Sequence, residues 1–69
     1  MLIEKWGHRG HVIHLHEIGD EYIPYVYAPG NPHDKLPGAP ATPKAAGTRA
    51  AQVSAESFID ERLATKTAR

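Results

Sequence analysis

Residues 2–28 read LIEKWGHRGHVIHLHEIGDEYIPYVYA, and the two glycine-bearing breaks in that stretch decide the fold. Gly7-His8-Arg9-Gly10 and Gly19-Asp20 are turn signals, and the runs on either side of them are rich in β-branched and aromatic residues. The spacing predicts three strands, over about 2–7, 11–18 and 22–28, joined as an antiparallel meander. With Arg9-Gly10 and Gly19-Asp20 as two-residue hairpin turns, the registers follow. Trp6 then opposes Ile13, Lys5 opposes His14, Leu15 opposes Pro24, and His14 opposes Tyr25.

Alternation along a strand sorts these residues onto two faces. One face carries Leu2, Trp6, Ile13, Leu15, Tyr22 and Val26. The other carries Ile3, Lys5, Val12, His14, His16, Ile23, Tyr25 and Tyr27. Pro24 has no N–H to give to a ladder, so the third strand is expected at a sheet edge. A one-residue slip at either turn would exchange the faces.

Outward from the meander the composition changes twice. Residues 29–47 hold five of the six prolines and three of the six glycines, which predicts an extended, mobile spacer rather than a ladder or a helix. From Thr48 the pattern becomes helical. Ala51, Ala55, Phe58, Ile59 and Leu63 recur at helical spacing, with Gln52, Glu56 and Asp60 expected to face water. Thr48 and Ser54 both suit a helix start, and the longer helix, about 48–65, is favoured because it covers more of the sheet. The expectation is an α+β fold over 1–69, a single β-β-β-α domain whose C-terminal helix packs on one sheet face. Phe58, Ile59 and Leu63 would meet Trp6, Ile13 and Leu15, with Trp6 as the core anchor. The opposite face would need a second molecule or the proline-rich loop to cover it.

Composition narrows the function. Eight basic and eight acidic side chains in 69 residues leave no net charge, and there is no cysteine. A chain this short buries only about 60% of its unfolded surface. Ten of its apolar residues are alanine, which leaves one thin core. No disulfide framework and no thiolate zinc site are possible. Glu4, Lys5, His8 and Arg9 interrupt any signal-peptide core, and no run reaches the roughly 20 apolar residues of a membrane span. A soluble, cytoplasmic protein is the expectation, with no membrane partner.

Catalytic motifs are missing. There is no P-loop, GxGxxG, HExxH or GxSxG, and His16-Glu17 lacks the second histidine of a zincin helix. One sheet with one helix also offers little interior for a water-excluding pocket. No enzyme activity and no cofactor are expected, and no motif carries a resemblance to a known family.

The chemistry that remains lies on the second sheet face, where Lys5, His14, His16, Ile23, Tyr25 and Tyr27 form the candidate binding surface. Its aliphatics and tyrosines suit a homodimer or a protein partner. Histidines at such an interface would weaken self-association below about pH 6. Aromatics beside a cation can also stack nucleic-acid bases. Against that, residues 1–27 hold Lys5 and Arg9 against Glu4, Glu17, Asp20 and Glu21, and phosphate contacts need cations in number. His14 and His16 are weak metal candidates. Two imidazoles make half of a zinc shell, and His8 and His11 fall on the opposite face.

Overall fold

The computed structural model describes residues 1–67. Three long strands, β1 (Leu2–His8), β2 (His11–Ile18) and β3 (Glu21–Tyr27), are followed by a short fourth, β4 (Thr42–Pro43). A 3-10 turn at Lys44–Ala46 then leads into α1 (Gly47–Thr67). The sheet is antiparallel in the order β1-β2-β3-β4, so the fold is a small α+β arrangement of four strands and one C-terminal helix.

The hairpin turns set the register by their backbone. Arg9 and Gly10 both have positive φ, at 50° and 83°, matching a type I′ turn. At the second turn Gly19 alone is positive, at 58°, as in type II′. The pairings Trp6 with Ile13, Lys5 with His14, Leu15 with Pro24, and His14 with Tyr25 all occur as expected.

Leu2 departs from expectation. The register shifts between Leu2 and Glu4, so Leu2 pairs with His16 while Glu4 pairs with Leu15. This bulge at Ile3 moves Leu2 from the helix-covered face to the histidine face.

The third strand is not an edge. β4 pairs with Glu21 and Tyr22 at one end, and Lys35 bridges to Tyr27 at the other. Pro24 sits between these two patches. The Val26 carbonyl points outward, accepting the Leu36 N–H at 2.7 Å, so by alternation the Pro24 nitrogen also points away from β2. The sheet therefore loses no β2–β3 ladder bond to the proline.

The proline-rich segment does more than span a gap. Leu36 is buried and joins Ile13, Val26, Ala55 and Ile59 in one apolar cluster, with Trp6, Ala28, Ala39, Phe58 and Leu63 packed around it. Thr42 is buried as well. The segment thus folds toward the helix side of the sheet and leaves the other face open. The longer helix is the one that forms, and it places Ser54 within α1 rather than at its start. No helix among the described residues is long and apolar enough to cross a membrane.

Candidate functional site

The two sheet faces differ in how their polar groups are used. On the helix side, every second residue of β1 meets every fourth residue of α1. Gln52 Nε2 donates to Glu4 Oε1 at 2.6 Å, and Trp6 Nε1 donates to Glu56 Oε2 at 2.9 Å. His8 Nε2 lies 2.8 Å from Asp60 Oδ1, which also accepts from Arg9 Nη1 at 3.2 Å. Gln52, Glu56 and Asp60 are therefore only half in water, each also bonded to a residue of β1. They form a row beside the buried Ala51, Ala55 and Ile59. Four residues of helix advance about 6.0 Å and two of strand about 6.6 Å, so the two rows stay matched over three rungs.

The ionisable groups of this side are held by their partners. Asp60 is pulled below the usual carboxylate value, first by the hydrogen bond from His8 and then by that from Arg9. Glu17 is lowered, and Lys44 raised, chiefly by the hydrogen bond between them at 2.8 Å. His11 is buried, and its Nδ1 lies 3.1 Å from the Arg9 carbonyl, which can only accept, so the proton sits on Nδ1.

The opposite face gathers the residues singled out in the sequence. Lys5, His14 and Tyr25 are register neighbours across β1, β2 and β3, with Ile23 opposite His16 and Tyr27 opposite Val12. Ring contacts run diagonally. His14 meets Tyr27 edge-on with centroids 5.0 Å apart, and His16 lies against Tyr25 at 4.3 Å. Such diagonal neighbours are within reach of aromatic side chains in an antiparallel pair. Lys35, which sequence reasoning left in the loop, places its Nζ 4.4 Å from the centre of the Tyr25 ring. No pattern in the sequence around it signalled that position. Around these rings Leu2, Ile3, Val12 and Ile18 are each 38–45% exposed.

His16 is pushed below the ordinary imidazole value, first by burial, then by the Met1 ammonium and by His14. No group of three or more His, Cys, Asp or Glu side chains among the described residues is placed to hold a metal ion. His14 and His16 gain neither Glu21 nor His33 as a third ligand.

One further concavity lies between α1 and the proline-rich segment. It is an open groove of about 290 Å³ lined by Gly38, Pro40, Ser54, Ser57, Phe58 and Glu61. Glu61 is its one ionisable side chain, and no imidazole lies beside either serine there.

No protein-family model matches the chain, and no curated protein or solved structure matches it either.

Proposed function

We propose that this chain is a small, non-enzymatic interaction module acting in the cytoplasm, whose open sheet face takes a protein partner or a second copy of itself. The observation that carries the reading is that face. A centre of His14, His16, Ile23, Tyr25 and Tyr27 is bordered by four large aliphatics left in water. Apolar and aromatic groups brought together in this way favour association, because burial removes them from water at about 25 cal/mol per Å². Tyrosine adds a polar tip that tolerates both the wet and the buried state.

Nucleic acid is the second reading for the same face. The fixed charges support it better than the whole-chain balance does, because Glu4 and Glu17 are engaged on the helix side by Gln52 and Lys44. The rings then have Lys5 and Lys35 for company.

Light scattering across a concentration series tests the first reading, run beside Ile23→Glu. A dimer of about 15 kDa, twice 7.6 kDa, that becomes monomeric in the variant would support self-association through this face. A dimer that persists in Ile23→Glu would place the contact elsewhere and overturn it. A monomer at every concentration would leave the face to a different partner.

A further inference from the structure

The carboxylates bonded across the sheet and the two lysines beside the rings lie on opposite faces. On the helix side Glu4, Glu17, Glu56 and Asp60 are each bound to a donor. On the open side alternation places Lys5 on β1, and Lys35 lies over Tyr25, while neither has a carboxylate within 4 Å among the described residues. The carboxylate that alternation assigns to this face is Glu21, at its far end beside Ile18. Lys5, His14 and Tyr25 therefore form one row across the three strands, and Lys35, whose backbone pairs with Tyr27 in the next row, carries its Nζ back over the Tyr25 ring.

Flank spacing has a consequence. Strands lie about 4.8 Å apart, so β3, where the Lys35 Nζ rests over Tyr25, is about 10 Å from β1, two spacings away. An α-helix with its side chains is about 10–12 Å across. Laid along β2, it would have Lys5 on one side and the Lys35 Nζ on the other. The helix already in this fold shows the same geometry on the other face, where residues at i, i+4 and i+8 of α1 meet alternate residues of β1. His14 and His16 offer the same two-residue step on β2.

We propose that the open face binds an acidic amphipathic helix of a partner protein, its apolar stripe on His14, His16, Ile23 and Tyr25 and its carboxylates against Lys5 and Lys35. This rests on the reading of the face as an interaction surface. Nucleic acid fits less well, because two lysines make few phosphate contacts and the exposed aliphatics have nothing to gain from a phosphate backbone. A second copy fits less well too. An isologous pair would set the lysines of one protomer over a face that carries the same charges.

The test is an NMR titration of the full chain with three probes. The first is a synthetic helical peptide with a leucine stripe bordered on both sides by glutamate. The second has lysine in place of every glutamate, and the third is an oligo-dT strand. The glutamate peptide is expected to shift the His14, His16 and Tyr25 signals saturably and to leave the Trp6 indole unmoved. It is expected to bind at least about tenfold more tightly than the lysine peptide. In the double variant Lys5→Glu/Lys35→Glu, checked for folding by the Trp6 signal, the preference should reverse. No shift with the glutamate peptide, or equal affinity for both peptides, overturns the proposal. Tighter binding of oligo-dT, or shifts of the same signals on concentration alone, also overturns it while leaving the face an interaction surface. Silence toward all three probes and on concentration overturns the interaction reading itself.

Discussion

Trp6 and Glu56, fifty positions apart, are joined by an indole N–H donating to a carboxylate oxygen over 2.9 Å. The bond is the middle of three rungs between β1 and α1, and it gives a half-buried tryptophan a partner for its only polar atom. Trp6→Phe keeps the ring and removes the donor. A hydrogen bond to a charged group contributes about 1.5–3 kcal/mol, and solvent at Glu56 reduces this, so a loss of about 1 kcal/mol is expected in urea unfolding. An unchanged midpoint would show that the rung contributes nothing.

Asp60 makes the fold sensitive to acid. Its folded pKa lies below the ordinary carboxylate value because His8 and Arg9 bind the charged form. The stability it contributes is therefore complete above about pH 4 and is lost as pH falls through the lowered value. Glu17 acts in the same direction through Lys44. Melting curves from pH 7 to pH 2 should show a steep acid decline in the wild type. Asp60→Asn should melt lower at neutral pH and decline less steeply.

At His16 the sign concerns a different window. Its pKa is lowered in the folded chain, chiefly by burial, so folding favours the neutral ring. That contribution is present above about pH 6.5 and is lost as pH falls through the lowered value. His16→Gln should lose less stability than the wild type between pH 7.5 and pH 5, and parallel curves would remove His16 from the account.

Leu36 tests whether the proline-rich segment belongs to the core. It is 6% exposed against Ile13, Val26 and Ile59. Leu36→Ala is expected to cost about 2–3 kcal/mol, as core truncations do. Lys35→Ala, next to it but on the open side, should change stability little. Equal effects would mean that the segment does not pack as described.

Gly10 tests the first turn. Its φ of 83° disfavours any side chain, although a Cβ there would meet Pro29 only at an ordinary 3.6 Å. Gly10→Ala should cost about 1–2 kcal/mol from the left-handed backbone alone. Gly7→Ala, with no positive φ and a nearest contact of 3.6 Å to the His11 carbonyl, is the control and should be close to neutral.

The meander was legible in the sequence because Arg9-Gly10 and Gly19-Asp20 each demand a two-residue turn, and turns that short leave one register. The candidate face followed from that register by alternation. Leu2 was misplaced because a bulge at Ile3 needs no special residue and leaves no mark in composition. The bonds that the half-exposed Gln52, Glu56 and Asp60 make to β1 were missed for a different reason. Polarity alone does not say whether a side chain meets water or a donor. Their partners Glu4, Trp6 and His8 show up only when a period of four on the helix is compared with a period of two on the strand. Leu36 stands alone among prolines and small residues, with no periodicity to signal its burial.

The rungs between β1 and α1 also behave as a vernier. Each step along the pair adds about 0.6 Å of mismatch between helix rise and strand rise. From Gln52–Glu4 to Asp60–His8 the accumulated offset is about 1.2 Å, small enough for side chains to absorb. Five steps would bring it to about 3 Å, half a rung, and the donors would then fall between acceptors. The helix can thus be read off against the strand over a short length only, and β1 turns into β2 just after the third rung. Such a scale has one zero. Moving α1 by a full turn would bring Trp6 to Gln52 or to Asp60 and leave one end of the row with no counterpart, so these three pairs fix where along the sheet the helix stops.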